Sequence, residues 1–275
     1  MMTCKTLPVQ NIAREFNYPE TTFVLPSEHA DNTHRVIILT PTSELPFAGH
    51  PTLGTAVALA HAQSPHADRA ECRFEEGVGM IPVSVYKMSD GALRAELSVT
   101  QRSLQLLERL SPAMWADILN LDEASVCPGD SQNGVWSCGT SFTLVPVTNV
   151  DALATASVNL ASWKQHLSLE ETTGVFVFTR DTNTRVIDIR ARMFAPDHGI
   201  AEDPATESAV AALAGWLVDA EQPDDGTHHW TIAQRVEMGR SSLLELEADV
   251  KNGRILCVRV AGCAVPVTTG MITDP

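Results

Sequence analysis

Short stretches rich in β-branched residues, or alternating apolar with polar, predict strands over 21–25, 35–40, 80–86, 93–99, 140–147, 175–179, 186–194, 243–250, 254–260 and 264–268. Helical spacing is rarer. Residues 7–17 set Val9, Ile12, Ala13 and Phe16 on one face, Ser111-Pro112 opens a helix over 112–121, and a third spans 151–166. Two more segments, AVALAHA (56–62) and AVAALAGWLV (209–218), are apolar on nearly every face. Such a helix has to be enclosed, and with strands in excess around it the enclosing walls are sheets.

The two enclosed helices share an entry sequence. His50-Pro51-Thr52-Leu53-Gly54-Thr55-Ala56 and Asp203-Pro204-Ala205-Thr206-Glu207-Ser208-Ala209 match at Pro, at Thr/Ser and at Ala, with an offset of 153 residues. Upstream, Thr40-Pro41 and Ala195-Pro196 each close a strand leading to the helix. A repeat this long points to a duplicated domain, each copy a strand-walled helix, with a boundary in the region 101–125.

Composition narrows the class. A chain of 275 residues that is 44% hydrophobic and 19% charged can bury a sizeable core. Its formal charge of −15 repels phosphate backbones and anionic lipid, so neither nucleic acid nor a membrane surface is an expected partner. No apolar run reaches the length of a membrane span, and MMTCKTLPVQ at the start is no signal peptide, which predicts a cytoplasmic protein. Six cysteines (4, 72, 127, 138, 257 and 263) show neither CxxC nor zinc spacing and are expected as reduced thiols. The glycines form no GxGxxG or P-loop, and His228-His229 lacks a third ligand, so no cofactor and no metal are expected.

Candidate chemistry gathers at the helix entries. Pro51 and Pro204 are expected at the first helical positions, where free N–H groups bind anions. Two such ends across a cleft suit a small anionic metabolite. Asp203 fits an N-cap as well as a site residue, whereas His50 is not a favoured cap. Ser208 and Thr55 are positioned to offer hydroxyls to a ligand or back to the helix. Glu20 lies where a helix gives way to a strand; it reads as a solvated loop carboxylate or, where the strand end withdraws it from water, as a group suited to proton transfer.

Three strings, IAREFNYPETTFV (12–24), LTPTSELPFAGHPTLGTAVALA (39–60) and EDPATESAVAALAGWL (202–217), resemble the PhzF-like isomerases of phenazine biosynthesis, with weaker echoes at 142–147, 235–242 and 259–262. The resemblance implies an α+β fold similar to diaminopimelate epimerase. It has two similar domains, each a β-barrel-like sheet wrapped around a central helix, with the active site in the cleft between them. The domains are expected at 1–110 and 111–275, the last strand crossing back to the first. It also implies a homodimer and a cofactor-independent isomerase acting on a dihydro-hydroxyanthranilate-like carboxylate. Glu20 would be the proton-shuttling acid/base, with His50 and Asp203 beside it, and Gly49, Gly54, Thr55, Thr206 and Ser208 against substrate. The epimerase relatives use a Cys pair at the helix starts, which this chain lacks.

Two departures from the family pattern stand out. A first strand and its GNP turn are expected ahead of Met1, so the first domain reads as short of one strand. The family's TGSA is TESA here, putting Glu207, with its bulk and charge, where Gly is usual; the usual Gln-Gly is Gln234-Arg235. These departures carry the alternative function, a catalytically inactive relative that binds a small molecule or a protein.

Overall fold

The computed structural model describes residues 7–99, 104–107, 110–129, 131–167 and 172–272. The chain opens with α1 (Leu7–Phe16), β1 (Thr21–Pro26), β2 (His34–Leu39), β3 (Glu44–Leu45), α2 (Gly49–Gln63), β4 (Arg69–Glu76), β5 (Gly79–Lys87) and β6 (Leu93–Val99). Next come β7 (Leu104–Leu107), α3 (Pro112–Leu119), β8 (Gly134–Ser137), β9 (Ser141–Pro146), α4 (Val150–Thr155), α5 (Leu160–His166) and β10 (Val175–Thr179). The chain continues through β11 (Ile189–Ala195), β12 (Ile200–Asp203), α6 (Glu207–Glu221), β13 (Gly226–Gln234), β14 (Ser242–Lys251) and β15 (Arg254–Ala264).

The topology repeats. β2 pairs antiparallel with β1 and β3, and parallel with β4 after the crossover through α2. β11 pairs antiparallel with β10 and β12, and parallel with β13 after the crossover through α6. Antiparallel β4-β5-β6 then corresponds to β13-β14-β15. The equivalent last strands join the copies, β6 lying antiparallel to β15 with Ala95 opposite Gly262 and Leu97 opposite Val260. The fold is α+β, with the sheet curling about one helix in each copy. β1, β5, β6 and β15 touch α2; β7, β8, β9, β14 and β15 touch α6.

Every residue of α6 from Glu207 to Val218 is buried, as its apolar sequence requires. A second cluster, built on Trp115, Ile118, Leu119, Leu153 and Trp163 of α3, α4 and α5, covers the outer face of the second copy. Strand β10 shows the consequence of period two: Val175 and Val177 face this outer cluster, while Phe176 and Phe178 face the core around α6. Arg192 ties the layers together. Its Nε and Nη2 donate to Glu202 at 2.9 and 2.7 Å, and its Nη1 donates to the carbonyls of Leu153, Ala154 and Ala156 at the end of α4.

Several expectations are corrected. β4 and β13 lie in stretches for which no element is predicted, as do the shorter β3, β7, β8 and β12. The single helix expected over 151–166 is two, because Asn149 and Asn159 each accept N–H bonds and start a separate helix. The strand expected at 264–268 is absent: β15 ends at Ala264, and Pro266, which has no N–H to offer a ladder, follows at once. Among the described residues, no helix is long and apolar enough to cross a membrane.

Candidate active site

The helix starts differ from those the prolines implied. α2 begins two residues before Pro51, so His50 is the second helical residue rather than a cap. α6 begins three residues after Pro204, and Asp203 is the last residue of β12. The residues before the two helices, Ala48 and Thr206, make no side-chain cap bond. Their first N–H groups have no intrahelical acceptor, so each start carries partial positive charge. The two starts meet: a Cβ on Gly49 would lie 2.4 Å from Cβ of Glu207.

A cleft of about 140 Å³ opens at this meeting point. Phe47, Phe142, Met193 and Ile200 give it apolar walls, and Glu20, His50, Asp203 and Ser208 bring polar groups into it. Such a mixture suits a small ring-sized molecule with few polar substituents. Among the described residues no Lys or Arg lines it, so its positive potential comes chiefly from the helix starts and His50.

Glu20 and His50 form an ion pair, Oε2 to Nε2, at 3.0 Å. The Glu20 side chain is only 5% exposed. Asp203 is 3% exposed; its Oδ2 accepts the Thr206 hydroxyl and its Oδ1 has no partner. Gln234, fully buried at the end of β13, fixes this corner. It donates to the Asp203 carbonyl at 2.8 Å and to the Thr206 hydroxyl at 3.0 Å, and accepts the Thr206 N–H at 3.1 Å. Arg235 follows in the left-handed region at φ 67°, a conformation that explains why Gly is usual there.

Burial alone would lower the His50 pKa, but Asp203, the Glu20 contact and Glu207 outweigh it and raise the imidazole to about 10. His50 is therefore a cation at neutral pH. Burial pushes Asp203 up to about 7 although His50 opposes it. Glu207 is likewise raised by burial to about 7, again opposed by His50. Donor atoms of Glu20, His50 and Asp203 lie within 4.8 Å of one another, a spacing compatible with a cation. A cation there would have to displace the proton that Asp203 and Glu20 help hold on His50.

The structure thus gathers Glu20, His50, Asp203, Gly49, Thr206 and Ser208 around one cleft. Gly54 and Thr55 do not line it. They lie a turn further along α2, where the Thr55 hydroxyl donates to Thr22 at 2.9 Å, inside the first lobe. Glu207 is 4% exposed, held beneath the cleft floor. Gln234 and His198 went unidentified as site residues because their placement arises only when distant strands pair. No cysteine among the described residues lines the cleft; Cys72, Cys257 and Cys263 are free thiols, and Cys4 lies outside the described residues.

The phenazine biosynthesis-like protein family (PhzC-PhzF) matches residues 6–270. An uncharacterized isomerase of Mesorhizobium japonicum is 33% identical, covering 99% of this chain and 91% of its own. The trans-2,3-dihydro-3-hydroxyanthranilate isomerase of Pseudomonas aeruginosa is 32% identical, covering 92% of this chain and 84% of its own. Among solved structures, a PhzF-family phenazine biosynthesis protein of Bacillus anthracis superposes with a TM-score of 0.80 at 22% identity, covering 92% and 84%. A hydroxyproline epimerase of Agrobacterium vitis shares the fold at a TM-score of 0.63 and 12% identity, covering 94% and 78%.

Proposed function

Because the chain belongs to the phenazine biosynthesis-like (PhzC-PhzF) family, we propose that it is an isomerase moving a proton between two carbons of a small cyclic carboxylate resembling dihydro-hydroxyanthranilate. Glu20 is the acid/base. As a carboxylate it takes a proton from one ring carbon; the C–H electron pair enters the ring π system and the double bonds shift. Glu20, now protonated, returns the proton to a second carbon, so each half-step leaves it ready for the other. His50, held as a cation, offsets negative charge that develops on the substrate, as a preorganised donor does. Asp203 supports that cation, and the helix starts receive the carboxylate.

The observation carrying this reading is the 3.0 Å Glu20–His50 pair, set in an apolar cleft beside Asp203 with the helix starts converging on it. The named relative acting on trans-2,3-dihydro-3-hydroxyanthranilate supports the substrate class. The test follows the ring protons of that compound by NMR in heavy water. Wild type is expected to exchange and shift a proton. Glu20→Gln keeps shape and binding but lowers turnover by at least roughly a hundredfold. Equal rates for both would remove Glu20 from its role, and an inert wild type that still binds the compound would favour a catalytically silent binding protein.

A further inference from the structure

Glu207 is a buried acid beside the cleft that the proton transfer does not use. It is the first residue of α6 and is 4% exposed; its Oε2 has no hydrogen-bond partner. A Cβ on Gly49, the first residue of α2, would lie 2.7 Å from that same oxygen. The carboxyl group is therefore wedged between the starts of both helices, under a floor whose lining residues are Gly49, His50, Thr206 and Ser208. Both helix starts and the His50 imidazolium act on it, and among the described residues no Lys or Arg lines the cleft. A ligand carboxylate has to draw on the same two helix starts and the same imidazolium.

Two carboxylates sharing one source of positive charge cannot both stay ionised cheaply. The groups facing Glu207 sharpen the conflict: His50 from α2 is positive, while Asp203 at the end of β12 and Glu20 ahead of β1 are both acids. Arg235, beyond β13, acts on Asp203, and His198 stands across the cleft. With His50 as the only cation among the four site groups, a bound anion adds to an excess of negative charge.

Resting on the carboxylated-substrate reading above, we propose that Glu207 is a specificity-determining residue that admits an anionic ligand only in its protonated form. Binding is then coupled to uptake of one proton. The raised position of this carboxyl, about 7, places the switch near neutrality. The sign is fixed: affinity is full below that pH and falls as pH rises through it, because the ionised acid competes with the ligand.

The experiment titrates anthranilate into the full-length protein by calorimetry from pH 6 to pH 8, in buffers of different ionisation enthalpy. Wild type is expected to weaken about tenfold over that range and to take up nearly one proton per ligand at pH 8. Glu207→Gln should lose the uptake belonging to this carboxyl and weaken clearly less than wild type over the range, keeping only the dependence that Asp203, also raised to about 7, contributes. Glu207→Gly serves as the second variant, in case Gln does not fold in the tight space against Gly49; it should behave alike, and bind tighter than wild type at pH 8. Equal uptake in wild type and both variants would place the proton elsewhere and overturn the inference, as would absence of uptake in wild type. Failure of anthranilate to bind any of the three at any pH would overturn the carboxylated-substrate reading itself, a result distinct from pH-independent binding.

Discussion

The contact between Gly49 and Glu207 can be tested by adding one methyl group. In Gly49→Ala the new Cβ would sit 2.4 Å from Cβ of Glu207, 2.7 Å from its Oε2 and 3.1 Å from its Cα. The first two distances are far inside van der Waals contact, and the buried side chain has little room to withdraw. Overpacking of this kind costs about 1–3 kcal/mol. In a protein of this size each kcal/mol lowers Tm by roughly 2–4 °C. Glu207→Gly removes both severe contacts and leaves the 3.1 Å approach to Cα, which a shift of a few tenths of an ångström relieves. The double variant should therefore recover most of the loss, giving a coupling energy of about 1–2 kcal/mol in a double-mutant cycle read by urea denaturation. Gly54→Ala is the control: it lies in the same helix with nothing within 4 Å of its new Cβ, so it should be neutral or stabilising by about 0.5–1 kcal/mol. Additivity of the two changes within about 0.5 kcal/mol would show that the helix starts do not meet as described.

Stability should fall between pH 5.5 and pH 8.5, measured as the urea midpoint. Asp203 and Glu207 have folded-state values raised to about 7, so the native state holds more protons than the unfolded chain between about pH 4 and 7. His50, raised to about 10, contributes stability that is complete below about pH 6.5 and lost as pH rises through 10. A midpoint unchanged or higher at pH 8.5 would contradict all three. Alkylation of accessible thiols, the exposed Cys263 first among them, should leave isomerase activity largely intact; complete inactivation prevented by substrate would instead implicate a thiolate. Light scattering at micromolar concentration should give the mass of a homodimer, and a monomer mass would remove that expectation.

The parts of the fold legible in the sequence are those in which local pattern and final environment agree. AVAALAGWLV has no polar face, and α6 is buried throughout the same residues. The shared entry strings pointed to a duplication that strand pairing repeats from β1–β6 to β10–β15. RAECRFEE of β4 does alternate charged with apolar positions, Cys72 and Phe74 being buried, but it holds no β-branched residue to mark it as a strand. β13 begins with Gly-Thr-His-His, a run without a strand signature, and is held by pairing along the whole of β14. In the site, Glu20, His50 and Asp203 were legible through the strings that contain them. Gly54 and Thr55, a helical turn further on, do not line the cleft, because neighbours in a motif need not be neighbours in space. Glu207 seemed a change in the substrate's path, whereas its burial depends on where α2 starts, which no stretch around 207 encodes.

The pairing of β6 with β15 has a consequence for how the chain is made. Strand β6 finishes at Val99, and its partner does not begin until Arg254, some 155 residues later. At about 5–20 residues per second, synthesis of that interval takes on the order of 10–30 s. Throughout it, the N-terminal lobe waits with one edge of its sheet unfilled, and α2 lacks one of the strands that touch it. The ribosome therefore delivers the two lobes in sequence but their completion is simultaneous, closed by one late strand shared between them. Translation speed through 100–254, and any helper that shields a bare strand during that time, then bear on yield.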